Sequence, residues 1–229
     1  MNLKLYNEYN NEVYINIDKK SKIGGGLFAN VYLLNGYAFK KIDFPLGKLS
    51  TKALELIKNI KHPNLYKIKD LFYSSNKLEC LAAYSMEYYL EDNINILIMP
   101  TEYTLDNLYD LRELAIVMAK NNIYMQDLHA GNMIMQGNRI ILIDRDNDYY
   151  ADGNYENILY HNISEIILGF ACSYHQQFKL MNKNNESFFN SYENIISSLA
   201  DCTYDEFAKT LSLYKRPIDY INSEIKKYK

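Results

Sequence analysis

The alternation of hydrophobic and polar positions changes character near residue 89. Before that point, short β-rich apolar runs are punctuated by turn residues. After it, apolar positions recur at helical spacing over longer stretches. This pattern predicts segregated α+β halves and not alternating βαβ units. Ala29 to Leu34 and Tyr37 to Ile42 flank Asn35-Gly36, a pair that accepts positive φ and so predicts a tight hairpin. From Ser50, read as an N-cap, Leu54, Leu56, Ile57 and Ile60 predict an amphipathic helix. His62-Pro63-Asn64 ends it, because Pro63 disfavours helical geometry at His62. Strands are expected from Tyr66 to Tyr73 and from Leu78 to Tyr84, joined by Ser74-Ser75-Asn76-Lys77. With Ser21 to Gly24 as the first strand, this half reads β-β-β-α-β-β.

Beyond Tyr89, the positions Leu105, Leu108, Leu111, Leu114, Ala115, Val117 and Met118 predict a long buried helix that stops at Asn121-Asn122. Met133 to Met135 and Ile140 to Ile143, on either side of Gln136-Gly137-Asn138, predict a small hairpin. Ile158 to Phe170 reads as an apolar helix, and Tyr204 to Tyr228 as helical periods around Arg216-Pro217. No repeat, low-complexity tract or long linker interrupts the chain, so the expected boundary is the one near residue 89.

With 229 residues, 48 % of them apolar, the chain has material for one large domain or two small lobes. Lys plus Arg number 25 against 28 Asp plus Glu, a net charge of −3, which lacks the basic field of a nonspecific nucleic-acid binder. No nucleic-acid partner is expected. Cys80, Cys172 and Cys202 are widely spaced, with no CxxC or Cys/His pairing at ligand spacing, and read as reduced thiols. No apolar run approaches the roughly 18 residues of a membrane span. Met1 to Asn11 is polar, without the apolar core of a signal peptide. A soluble, cytoplasmic protein is expected, and its oligomeric state is left open.

Ile23-Gly24-Gly25-Gly26-Leu27-Phe28-Ala29-Asn30-Val31 places glycines and backbone N–H groups between two strands, where phosphate oxygens fit. Taken alone, a glycine-rich hairpin without a ligand explains the segment equally well. Strand alternation puts Lys40 on the same face as Ala38 and Lys41 on the other. The richest segment is Tyr124-Met125-Gln126-Asp127-Leu128-His129-Ala130-Gly131-Asn132-Met133-Ile134, followed by Ile141-Leu142-Ile143-Asp144-Arg145-Asp146. A metal–phosphate centre needs oxygen ligands from separated loops and an aspartate within reach of a hydroxyl. Asp127, Asn132 and Asp144 supply that chemistry in that order. Any one of these aspartates is more readily explained as a turn or cap residue; the ordered set is not.

In sequence order, the glycine loop, Lys40, the helix before His62-Pro63-Asn64, the strand ending Tyr84-Ser85-Met86-Glu87-Tyr88, Asp127 with Asn132, and Asp144 resemble the protein-kinase superfamily, over about residues 20 to 170. The resemblance implies a bilobal protein-kinase-like fold. Residues 1–89 would form a small β-rich N-lobe with one helix, and residues 90–229 a shortened, mainly helical C-lobe. It implies that ATP and Mg²⁺ are bound, with Gly24, Gly25, Gly26 and the backbone to Val31 over the phosphates and Lys40 on the α- and β-phosphates. Val31 and Ala38 would line the adenine pocket, and Met86, Glu87 and Tyr88 would form the hinge against the adenine edge. Asp127 would orient the attacking hydroxyl or accept its proton, while Asn132 and Asp144 would hold the metal.

The chain departs from the family pattern at several points. Ala29 replaces the third glycine. Ala53 stands where the helix glutamate paired with the lysine is expected, which makes Glu55 the nearest candidate. Met125-Gln126-Asp127 replaces His-Arg-Asp, removing the arginine that receives an activation-loop phosphate. Asp127-Leu128-His129 is similar to the loop of aminoglycoside phosphotransferases, where His129 either contacts the γ-phosphate or braces the loop. Asp144-Arg145-Asp146 replaces Asp-Phe-Gly, and Asp146 adds a second carboxylate. Only a short stretch separates Asp144 from the next helix, near Asn157, leaving little room for a peptide-docking platform. The leading expectation is a minimal Ser/Thr protein kinase transferring phosphate from ATP to a protein that supplies its own docking surface. The alternatives are a kinase for a small hydroxylated molecule and a nucleotide-binding pseudokinase. His161 and His175 read as satisfied structural histidines.

Overall fold

The computed structural model describes residues 1–26, 28–89, 105–128, 130–159, 161–163 and 165–166. Leu27, His129, His175, Cys172, Cys202, the end of the helix expected to reach Phe170 and the helical periods from Tyr204 lie outside the described residues, as does the segment just after the boundary near residue 89. The architecture is mixed α+β, with a curled antiparallel sheet and few helices.

Seven strands form the main sheet: β1 Asn2–Asn7, β2 Glu12–Asn16, β3 Lys22–Gly25, β4 Ala29–Leu34, β5 Tyr37–Ile42, β6 Ile68–Tyr73 and β7 Leu81–Glu87. Their spatial order is β2-β1-β6-β7-β5-β4-β3. The expected hairpin is present, with Asn35 and Gly36 at φ values of 50° and 81°. Two positive φ values give the turn the twist of its flanking strands. β7 begins later than expected because Leu78 adopts a φ of 54°, outside the strand region, and its N–H closes a turn on Ser75.

The β1–β2 hairpin is an element the sequence reading missed, having taken this terminus as merely polar. Leu3, Leu5, Val13, Ile15 and Ile17 in fact alternate with polar residues at the strand period. β1 pairs with β6 only at Tyr6↔Tyr73 and Asn7↔Phe72. The hairpin curls from there so that Leu5 and Ile17 pack with Tyr32, Phe39, Ala82 and Ala83 on one face of the sheet.

The opposite face holds a second core that continues into the rest of the chain. Helix α1, Lys48–Asn59, buries Thr51, Ala53, Leu54 and Ile57. Its N-cap is Gly47 without a side-chain cap, so Ser50 is not the cap it was expected to be. Tertiary bonds set the start instead: Leu46 N–H donates to Leu81 O at 2.8 Å, and Thr51 Oγ1 accepts from Leu81 N–H at 3.0 Å. Helix α2, Leu105–Lys120, contributes Leu111, Leu114, Ala115 and Met118 to the same core and is followed by a turn at Asn121-Asn122, where Asn122 has a φ of 57°. Strand β8, Ile123–Tyr124, pairs with β11, Tyr149–Tyr150. Between them in sequence, β9, Met133–Gln136, and β10, Arg139–Leu142, form the expected hairpin around Gly137 at φ 61°.

The segment after α1 joins the two halves. Buried Asn64 donates from Nδ2 to Ile140 O at 2.7 Å and accepts Leu142 N–H on its backbone oxygen at 2.7 Å, and Leu65 forms a parallel bridge with Leu142. The main sheet is thereby fastened to the strand that leads directly into Asp144. The missed hairpin can be tested through Ile17, which is 1 % exposed. Ile17→Ala is expected to destabilise the fold by about 2–4 kcal/mol in urea unfolding, against less than about 1 kcal/mol for Leu33→Ala, whose side chain is exposed.

Candidate functional site

β5 is paired on both sides, and its register determines what surrounds Lys40. Val31, Lys40 and Tyr84 are successive cross-strand partners, as are Leu33, Ala38 and Met86. Directly opposed residues share a face, so Val31, Ala38 and Met86 line the side of the sheet to which Lys40 points. The Lys40 side chain is 5 % exposed, and its ammonium lies 2.7 Å from Asp146 Oδ2 and in a closer ion pair with Asp144 Oδ1. The Tyr84 ring lies beneath it, 5.9 Å from ring centroid to nitrogen. Burial alone pushes the lysine down, but Asp146 and Asp144 outweigh it and hold the ammonium above its ordinary range. Lys40 therefore stays charged although buried.

Asp127 and Asp144 occupy the left-handed region, with φ of 56° and 60°. Aspartate tolerates this conformation better than most residues, at a cost of about 1 kcal/mol each. Asn132, which closes the 3-10 turn Ala130–Asn132, knits the two loops together. Its Nδ2 donates to Asp127 O at 3.0 Å, and its carbonyl accepts Ile143 N–H at 2.9 Å, one residue before Asp144. Asn147 Nδ2 donates to Asp127 Oδ2 at 3.0 Å. Asp127 is exposed.

Among the described residues no group of three or more His, Cys, Asp or Glu gathers around a metal position. Asn132 and Asp144 lie on loops joined by the bond from Ile143 N–H to Asn132 O, and a side-chain amide oxygen and a carboxylate are both hard oxygen ligands. Such a pair suits Mg²⁺, which takes few protein ligands and completes its shell with water and phosphate oxygens.

A buried polar network holds the chain just before Asp127. Arg145 and Asp148 are both fully buried and paired through Nε and Oδ2 at 2.9 Å. Arg145 also donates to Gln126 O at 2.8 Å, and Asp148 Oδ1 accepts Gln126 N–H at 2.8 Å. One ion pair thus satisfies both backbone groups of the residue preceding Asp127. Asn162 Oδ1 accepts Met125 N–H at 2.8 Å while its Nδ2 donates to Ile123 O at 3.0 Å. His161 Nε2 lies 2.8 Å from Met125 O, as a satisfied structural histidine should. Burial pushes the Asp148 carboxyl up, with Arg145 opposing it; burial pushes Arg145 down, and Asp148 more than compensates. The sequence reading took Arg145 only as the loss of a phenylalanine and missed Asp148 and Asn162. Spacing alone does not distinguish an arginine that braces a loop from one in solvent.

The other expected site residues fall as follows. Gly24 and Gly25 lie on β3, opposite Val31 and Asn30, and Gly26 N–H donates to Ala29 O at 2.9 Å. A side chain at Gly25 would crowd Ala29 O at 3.0 Å, whereas one at Gly26 would meet nothing within 4 Å. Packing inside the chain therefore does not require glycine at 26. At the end of β7, Glu87 N–H is committed to Lys67 O at 3.0 Å, so Glu87 offers its carbonyl, not its N–H, to a base edge. Tyr88 follows it, half-buried. Glu55 is not brought to Lys40: it accepts from the Tyr73 hydroxyl at 2.7 Å, while the ammonium is taken by Asp144 and Asp146. The physical reason is that α1 turns only uncharged residues into the core and leaves Glu55 toward β6.

No family model matches the chain, and no curated protein matches it.

Removing one member of a buried ion pair strands the other, so Arg145→Met is expected to cost about 3–5 kcal/mol. The double variant Arg145→Met/Asp148→Leu is expected to be less destabilised than Arg145→Met alone. Urea unfolding of the parent, both single variants and the double variant measures this.

Proposed function

We propose that the chain is an ATP- and Mg²⁺-dependent phosphotransferase with a hydroxyl acceptor, built on a bilobal kinase-like plan, and that it acts as a minimal Ser/Thr protein kinase. The observation that carries this reading is the pairing of Lys40, from the centre of the sheet, with Asp144, 104 residues later. A phosphotransferase needs its lysine and its metal-ligand aspartate at one place, where both can address a triphosphate, and the direct contact of Lys40 with Asp144 beside Val31, Ala38 and Met86 supports that reading. An apolar face next to a buried ammonium accepts a flat base with a polyanion attached.

In this reading each residue has one task. Lys40 places a positive charge against phosphate oxygens. Gly24, Gly25 and Gly26 keep that approach clear of side chains. The Glu87 carbonyl and the Tyr88 backbone meet the edge of the base. Asn132 and Asp144 would hold Mg²⁺, which when bound neutralises phosphate charge. Asp127, on a loop braced by Arg145 and Asp148, orients the acceptor hydroxyl and takes its proton as the new O–P bond forms and the bond to the leaving diphosphate breaks. Positioning and charge compensation, with no covalent step on the protein, would then account for catalysis.

A second acceptor class has its own support. The helix that follows Asp144 begins at Tyr155, and the intervening residues 145–154 are spent on the buried pair and on β11. So short a segment favours a small hydroxylated acceptor, or a protein that brings its own docking surface, over an extended peptide lying on the enzyme.

Incubation with labelled ATP and Mg²⁺, with and without candidate acceptors, is expected to show ATP consumption and labelled product. Asp127→Ala and Asp144→Ala are each expected to lower the rate about a hundredfold or more with the circular dichroism spectrum unchanged. Full activity in either variant would refute the assignment. ATP binding without turnover across both acceptor classes would point to the pseudokinase reading.

A further inference from the structure

Two carboxylates share the Lys40 ammonium, and they differ in how they are placed. The Asp144 side chain is 43 % exposed, whereas that of Asp146 is 12 % exposed. The first is open to a solute; the second is enclosed beside Tyr84. No carboxylate comes to this lysine from α1, whose buried residues Thr51, Ala53, Leu54 and Ile57 are all uncharged and whose Glu55 is held by Tyr73. Asp146 instead belongs to a segment tied down by Arg145 and Asp148 to the Gln126 backbone.

Resting on the phosphotransferase reading, the geometry points to Asp146 as the positioning residue for Lys40: it takes over the task of a helix carboxylate and is the lysine's lasting partner, while Asp144 serves the cation. A buried ammonium left without counter-charge is strongly disfavoured. If Asp144 were its sole partner, engaging Asp144 elsewhere would leave Lys40 in that condition. Asp146 removes the conflict, because it pairs with the ammonium through Oδ2 at 2.7 Å and is itself enclosed. The orientation of Lys40 then depends on a segment fastened to the Asp127 loop and not on where α1 sits. An outward shift of α1, which would separate a helix carboxylate from its lysine, leaves this pair intact.

The test compares Asp146→Asn, which removes the charge and keeps the shape, with Asp146→Glu, which restores the charge, and with Glu55→Gln. Calorimetric titration with ATP and Mg²⁺ reads nucleotide affinity. Urea unfolding of Lys40→Met, Asp146→Asn and the double variant reads the pair without any nucleotide. Asp146→Asn is expected to weaken ATP binding about tenfold or more, with much of the loss recovered in Asp146→Glu and less than about a twofold change in Glu55→Gln. The unfolding cycle is expected to show coupling of about tenfold or more between residues 40 and 146, and none between residues 40 and 55 when Glu55→Gln takes the place of Asp146→Asn in the same cycle. If Asp146→Asn binds ATP as the parent does, or if Glu55→Gln does equal damage, the positioning role is overturned while the phosphotransferase reading survives. If the parent binds no ATP, both are overturned, even where the cycle still couples residues 40 and 146.

Discussion

Taking the Lys40 ammonium out of water costs several kcal/mol, and the chain offsets that cost only by carrying two carboxylates to it from a distant part of the sequence. Much of the described structure follows from this constraint. β5 must be a central strand so that the lysine points into the packed side of the sheet. β10 must deliver Asp144 at the right height, which it does because Asn64 and Leu65 fasten the chain after α1 directly to Ile140 and Leu142. The same core residues, from Leu54 and Ile57 through Leu114 and Met118 to Ile140 and Leu142, form one cluster with Tyr84, whose ring lies under the ammonium.

The loop bearing Asp127 is held by a different device. Its own backbone is in the left-handed region, and the groups just before it cannot be satisfied by a regular ladder. Arg145, Asp148, His161 and Asn162 reach in from two later segments and bond to the backbone of Ile123, Met125 and Gln126. A buried network of this kind stabilises one arrangement strongly, because each unmade bond inside it would leave a desolvated group without a partner. It also makes the segment from Asp144 to Asp148 serve two ends: Asp144 and Asp146 turn to Lys40, and Arg145 and Asp148 turn to the loop.

Local chemistry was readable where it is self-sufficient. Asn35-Gly36 announces its turn because few other pairs accept two positive φ values. The helix of Leu54 and Ile57, the helix of Leu111 to Met118 and the hairpin about Gly137 follow from apolar period and turn residues alone. Boundaries were less secure where the deciding contact is remote: Ser50 looks like a cap, but Thr51 and Leu46 bonded to Leu81 set the start of α1. The first hairpin was passed over because its alternating apolar residues lie among many polar ones. They form strands only by having the far face of the sheet to cover.

By itself, then, the amino-acid order determined the mixed α+β class and most of the elements, which rest on neighbouring residues, and its chemistry singled out Asp127, Asn132 and Asp144; Lys40 joined them as a candidate only through the resemblance of the ordered motifs to the protein-kinase superfamily. Which carboxylate meets Lys40, which arginine is buried and what holds the Asp127 loop were decided only in three dimensions. A charge in a folded chain pairs with whatever opposite charge the packing leaves beside it in a water-poor space. That choice depends on strand register and helix facing, which no short stretch of sequence encodes, and it gave Asp146 to Lys40 and Glu55 to Tyr73.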